Sequence, residues 1–281
     1  IVRPLERLTK SINAQMRGGA VFAMDDAYRT DDEIENLAEA FADLTRRTQD
    51  YIQEIITITA EKKRIGTELA LATRIQADML PNIYPAFPDR PEFDIYATMD
   101  PAKEVGGDFY DFYFTGQDRV LFLVADVSGK GVPAAMFMMR AKTLIKSIAQ
   151  TGKPLAHVFE EANDALCEGN SSNMFVTVWA GEINTRTGLV TYVNAGHNPP
   201  VLRRGGKSEY LKSQPSLVLG AMSGVSYRVY ELSLAPGDAI YLYTDGITEQ
   251  PNATGELYGE KRLLKALAGT TARGKAVLGA V

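Results

Sequence analysis

Cysteine is almost absent: Cys167 is the single one in 281 residues, so no internal disulfide can form, and the chain suits a reducing compartment. Its plain role is that of a small buried apolar residue. Histidine is nearly as scarce, and with only His157 and His197 a zinc or copper site built from a histidine cluster is excluded. Any metal here must be held by oxygen. Basic charge is not in excess, since 30 Lys and Arg stand against 35 Asp and Glu for a net charge of −5. Neutralising a phosphate backbone needs clustered Lys and Arg, which no segment provides, so the expected partners are proteins or small molecules and no nucleic acid. No run of about 18 apolar residues is present to span a bilayer, and no charged-then-apolar leader is visible. The chain starts at Ile1 and not at Met, and is expected to be a piece of something longer.

What is present is an ordinary 45% hydrophobic content, arranged in two styles. From Ile34 onward apolar residues recur in a 3-4 rhythm: Ile34, Leu37, Phe41, Leu44, Tyr51, Ile55, Ile58, Ile65, Leu69, Ala72 and Met79. With Thr48, Lys62 and Gln76 as polar breaks, this predicts a heptad seam and a coiled-coil rod ending near Pro81, the alternative being one amphipathic helix lying on a globular core. Before it, "RPLERLTKSINAQM" predicts a short amphipathic helix, followed by a connector with Gly18 and Gly19. Pro4, the connector and the triplet Asp32, Glu33 and Ile34 resemble the HAMP signalling module over residues 1–50. Gly19 and Glu35 depart from its pattern. The resemblance implies a parallel four-helix bundle in a dimer and a preceding transmembrane helix, hence the cytoplasmic portion of an inner-membrane receptor. Residues 51–80 are then the linker helix and residues 81–281 a second domain, opened by the proline-rich "LPNIYPAFPDRPEF".

Past that break the pattern turns to short extended runs. Strands are expected at 93–99, 109–115 and 119–125, then helices at about 133–150 and 154–167, then a second strand group: "MFVTVWAGEI", "GLVTYVNA", "PPVLRR", "YRVYELSL" and "DAIYLYT". Strand runs enclosing a helix pair predict an α+β fold, a β-sandwich flanked by helices, and not a doubly wound parallel sheet.

Three acids end strand-like runs: Asp108 in "EVGGDFYDFYF", Asp126 in "LFLVADVSGKGVPAA" and Asp245 in "IYLYTDGITE". Converging acids repel, and a hard divalent cation relieves that repulsion; oxygen-only ligands select Mg²⁺ or Mn²⁺. Each acid also has a plainer role open to it: Asp108 as a turn former, Asp126 as a helix cap, Asp245 as a hairpin-turn residue.

The motifs "PAKEVGGDFYD", "ADVSGKGVPAAMFM", "MFVTVWAGEI", "NAGHNPP" and "YTDGITE", in that order, resemble the SpoIIE and RsbU branch of the PPM (protein phosphatase 2C) serine/threonine phosphatases over residues 70–268. The resemblance implies two Mn²⁺ or Mg²⁺ ions held by Asp108, Asp126, Asp245 and the Val127 carbonyl, the three acids being catalytic through a water the ions activate. It implies a phosphorylated STAS-domain protein, an anti-anti-sigma factor, as substrate. Lys103, Gly107 and Asp111 are expected to support the site or touch substrate, His197 to fix its loop, and Lys130 to be solvated. Other classes stay open: a phosphatase-like module that binds without turnover, and a diguanylate cyclase suggested by "GGDF", whose pattern requires an acid where Phe109 stands. The phosphatase pattern closes on a D-[DN]-x-T strand, and no acid follows Glu260, so the domain is expected to be truncated and weakly active, or else a natural pseudo-enzyme.

Overall fold

The computed structural model describes residues 2–16, 18, 21–101, 105–268 and 274–278. The chain divides into two compact units, Ile1–Glu68 and Leu69–Val281.

In the first unit, helix α1 (Val2–Met16) and the start of helix α2 (Glu33–Met79) sandwich the connector. Leu8, Phe22, Tyr28, Ile34 and Ala38 are buried together, with Ile12, Met24 and Phe41 against them. The connector is held by side chains, with the Phe22 amide donating to Gln15 Oε1 at 3.1 Å and Ser11 Oγ lying 2.9 Å from the Tyr28 hydroxyl. Asp32 starts α2 by accepting from the Ile34 amide at 2.9 Å, a donor that a helix start leaves free, and Glu35 reaches back to accept from the Asp31 amide at 2.8 Å. Beyond that cluster Leu44, Tyr51, Ile55, Ile58 and Ile65 stand exposed along α2. Among the described residues no helix is long and apolar enough to cross a membrane.

The second unit carries two antiparallel sheets. One has the order β1-β2-β3-β4-β7, formed by β1 (Phe109–Gly116), β2 (Arg119–Val127), β3 (Val176–Asn184), β4 (Leu189–Ala195) and β7 (Val229–Ser233). The other is β6-β5-β8, formed by β5 (Val201–Arg204), β6 (Lys207–Tyr210) and β8 (Ala239–Tyr241). Strand alternation sorts the first sheet's side chains between two cores. Leu121, Leu123, Ala125, Val176, Val178, Val193 and Ala195 face helices α3 (Val132–Ala149) and α4 (Leu155–Cys167). Trp179, Val190 and Tyr192 pack on the other side, where Leu211 and Leu242 join them. Trp179 and Tyr192 stack with centroids 5.2 Å apart, and Tyr192 on Tyr230 at 5.3 Å. Helix α6 (Gly259–Ala268) covers the second sheet through Leu263 and Leu267 against Val201 and Tyr243. The result is the expected helix-flanked sandwich.

Residues 93–99 correct the strand expectation: they form no strand. The Tyr84 hydroxyl donates to the Ala97 carbonyl at 2.8 Å and accepts from the Ala97 amide at 3.0 Å, so a side chain satisfies backbone groups that a neighbouring strand would otherwise take.

Candidate metal centre

The register of β1 against β2 assembles the site. Phe109 pairs with Ala125, so one step further out Asp108 faces Asp126, each at the end of a strand whose preceding or following residues are buried. The two carboxyls share a hydrogen bond. Burial, then the hydrogen bond and charge of Asp108, then the charge of Asp245, push the Asp126 carboxyl up to about 8, against a weaker opposing pull from Lys130. Two carboxylates this close resist ionising together, and a proton between them removes one charge. A cation relieves the same repulsion, so a hard divalent ion fits the donors.

Gly107 explains the glycine before the acid. A Cβ there would lie 2.8 Å from the Val127 carbonyl oxygen and 3.1 Å from the Val127 Cβ, so only glycine lets the chain pass this close to that carbonyl. Asp108, Asp126 and the Val127 carbonyl are thus brought together. Asp126 is no helix cap, because α3 starts on Gly131. Asp245 is no hairpin residue either: it opens the short helix α5 (Asp245–Thr248), where Thr244 holds the N-cap position without a side-chain cap hydrogen bond. Its charge acts on Asp126, yet among the described residues no three Asp, Glu, His or Cys side chains stand close enough to enclose an ion together. Asp108 is thus joined to Asp126 by a hydrogen bond, while Asp245 acts on Asp126 through its charge.

Asp111 belongs elsewhere. It is buried, and its partner is the buried Lys142 of α3, with Lys146 at 3.9 Å and the Phe112 amide donating to its Oδ1 at 3.0 Å. It locks strand to helix and lies apart from the acidic pair. Lys103 falls outside the described residues.

Three supporting residues carry more than the sequence suggested. Gln76, a polar break in the seam, is buried in the last turns of α2, where its amide donates to the Gly106 carbonyl at 2.7 Å and accepts from the Gly106 amide at 3.0 Å. His197 is buried and neutral, its pKa pushed down to about 4 mainly by burial. Its Nε2 donates to the Tyr243 carbonyl at 3.0 Å, which leaves Nδ1 to accept from Thr177 Oγ at 2.8 Å. Thr177 is the β3 partner of Asp126, and Tyr243 lies two residues before Asp245, so one imidazole ties the two acidic segments. Its backbone is pinned by Asn194, whose Oδ1 accepts from the His197 amide at 2.8 Å and whose Nδ2 donates to the His197 carbonyl at 3.0 Å.

A helix-flanked pair of antiparallel sheets with acids at the strand ends is the architecture of PP2C-type phosphatases. The chain belongs to the family described as Stage II sporulation protein E (SpoIIE), which matches residues 116–279, a range that includes Asp126 and Asp245 and begins after Asp108. It is 29% identical over 297 residues to Protein IcfG of Synechocystis sp., covering 94% of this chain and 45% of that protein. It is 30% identical over 198 residues to the phosphoserine phosphatase RsbU of Bacillus subtilis, covering 70% of this chain and 58% of that one. The chain thus spans about half the length of the curated relatives it matches. Among solved structures it resembles the SiaA-PP2C domain of Pseudomonas aeruginosa, with a TM-score of 0.63, 27% identity, and coverage of 74% of this chain and 83% of that one.

Proposed function

We propose that this chain removes phosphate from phosphoserine or phosphothreonine on a partner protein, a phosphorylated STAS-domain anti-anti-sigma regulator, with Mn²⁺ or Mg²⁺ as cofactor. The observation that carries the proposal is the Asp108 and Asp126 pair at adjoining strand ends, with the Val127 carbonyl held against Gly107. Family membership and the phosphoserine phosphatase RsbU among the relatives support it. Asp108, Asp126, Asp245 and the Val127 carbonyl would hold two such ions, which when bound supply Lewis acidity and lower the pKa of a water. The chain's own residues do the positioning. Gly107 admits the carbonyl, the β1 to β2 register sets the two carboxyls opposite each other, and His197 fixes Asp245's segment to Asp126's. The test is a screen of phosphorylated STAS proteins with and without Mn²⁺. Release of phosphate that needs the metal supports the proposal, and undiminished hydrolysis in excess chelator sinks it.

A second function rests on the lack, among the described residues, of three acids close enough to enclose an ion together: a module that binds the phosphoprotein without turning it over. Partner binding by the full-length protein with no hydrolysis under saturating Mn²⁺ would favour it.

The exposed seam of α2 supports a parallel homodimer through residues 1–80, with the HAMP-like module at 1–50 relaying a membrane-derived signal along the rod. A monomer in sedimentation at micromolar concentration would overturn the dimer.

A further inference from the structure

We infer that Val132, Met136, Phe175 and Met222 form an apolar docking surface for the folded phosphoprotein, with Lys130 at its inner edge facing the phosphoryl group. The inference rests on the phosphatase function proposed above and adds where its protein substrate seats.

The loop that follows Asp126 and Val127 is the hub. Ser128 binds the segment before β3 twice: its amide donates to the Phe175 carbonyl at 2.9 Å, and its hydroxyl accepts from the Phe175 amide at 3.0 Å. Phe175 is thereby fixed beside the acidic pair, yet its side chain is 39% exposed. Two residues past Ser128 comes Lys130, between Gly129 and Gly131, whose positive φ values of 86° and 77° give a turn that side-chain-bearing residues resist. Helix α3 then starts, and Val132 and Met136, one turn apart on one face, are 46% and 62% exposed. A neighbouring turn packs against the same two segments. A Cβ on Gly220 would lie 3.1 Å from both the Met174 carbonyl and the Phe137 ring, so this turn abuts the residues that precede Phe175 and follow Met136. It carries Met222, 59% exposed, and is pinned from α4 by Asn163, whose Nδ2 donates to the Met222 carbonyl at 2.8 Å and whose Oδ1 accepts from the Gly220 amide at 3.0 Å.

Single exposed apolar residues are ordinary, but four on rigidly tied segments around one acidic site form a patch of the kind that contacts other proteins. Two methionines suit a surface that must adapt to a partner's shape. Lys130 identifies the partner's chemistry. It is exposed, and it follows Val127 by three residues on the loop that leaves the acidic pair. A phosphoryl dianion approaching two acidic strand ends needs a positive charge, and Lys130 stands on the loop between those acids and the apolar patch. A partner that presents both an apolar face and a phosphate is a phosphorylated folded protein, and not a free small phosphate.

The test compares two substrates on the full chain with Mn²⁺: p-nitrophenyl phosphate, which needs only the acidic site, and phosphorylated STAS-domain proteins. Met136→Asp and Phe175→Asp are expected to lower kcat/KM for the phosphoprotein roughly 10-fold or more, mainly through KM, and to leave p-nitrophenyl phosphate within about twofold. That second rate also reports that each variant is folded. Lys130→Ala should weaken both substrates. Wild-type rates of both variants on the phosphoprotein would overturn the docking surface, as would wild-type hydrolysis of p-nitrophenyl phosphate with none of any phosphoprotein. Loss of self-association in Met136→Asp by sedimentation would assign the patch to a second copy and overturn it too. Failure of the wild type on both substrates marks instead the failure of the phosphatase function.

Discussion

Two acids three residues apart on one strand have opposite surroundings. Asp111 lies inside β1, is 1% exposed, and carries its own counter-charge in Lys142, itself 6% exposed on α3. Asp108, at the strand's mouth, faces another acid, Asp126, on which the third acid Asp245 and the weaker, opposing Lys130 also act. Burial makes an unpaired charge expensive, so an acid that serves the fold is delivered with a partner from the same chain. An acid pair left short of positive charge costs the fold energy, and such sites are where a chain takes in a cation or substrate. The contrast separates architecture from chemistry within one strand, and each half of it can be broken separately.

The largest effect is expected at the acidic pair. Asp126→Asn should lower metal-dependent phosphate release by on the order of 10³-fold, equivalent to about 4 kcal/mol. Without metal the shared proton already cancels one of the two charges, so a neutral amide in its place should leave the metal-free protein's melting temperature unchanged. A melting temperature that falls with the activity would make Asp126 structural and dissolve the contrast.

Next in size is the converse experiment. Lys142→Met strands the Asp111 carboxylate in a buried site and should cost about 3 kcal/mol in urea unfolding, since removing one partner of a buried pair leaves an uncompensated charge. The double variant Asp111→Asn with Lys142→Met should recover most of that loss. Equal stability of the single and double variants would show that the pair is not coupled.

How much of this was legible in the sequence depends on whether a residue's partner is local. The strand-ending acids, the helix pair and the order of the motifs were readable because periodicity and turn residues are local signals. The β5–β6 hairpin carries such a signal too, in Gly205 and Gly206 with φ of 56° and 78° between two extended runs, although the expected strands do not include residues 207–210. Residues 93–99 misled because alternation in "FDIYATM" says nothing of a tyrosine thirteen residues earlier that takes over the backbone of Ala97. Asp111 reads from sequence as a neighbour of the site because Lys142 is thirty-one positions away and meets it only once α3 has packed. Gln76 fitted the heptad register as a polar break, and its actual partner, the Gly106 backbone, is set by tertiary structure alone.

A smaller effect is expected from pH. Burial holds His197 neutral down to about 4, whereas an unfolded histidine takes a proton near 6.5. Between those values the unfolded chain binds a proton the folded chain refuses, so this residue's contribution to stability is intact above 6.5 and is lost as pH falls toward 4. The loss amounts to about 2–3 kcal/mol. Urea midpoints for wild type and His197→Gln, measured from pH 7 to pH 4, should converge as acid is added. Parallel curves would mean that the strut between Thr177 and Tyr243 tolerates the charged ring.

The smallest effect is expected where α2 meets the approach to Asp108. The Gln76 amide satisfies both the donor and the acceptor of Gly106, one residue before the glycine that passes Val127. Gln76→Ala leaves both backbone groups to find water in a half-buried position, a cost of about 1 kcal/mol. The local consequence is more telling than the global one. The Gly106 amide should exchange its hydrogen about five- to tenfold faster, because its protection comes from that one side-chain oxygen, while amides in the centre of β2 and β3 keep wild-type rates. Gln76→Glu sharpens the test, since a carboxylate still accepts from the Gly106 amide but cannot donate to its carbonyl and sets two like partial charges face to face. If Gln76→Glu protects the amide as well as glutamine does and phosphate release is unchanged, the clamp matters only for packing. If amide protection survives while phosphate release falls, the carbonyl half of the clamp is what holds the segment before Asp108 in line with Asp126.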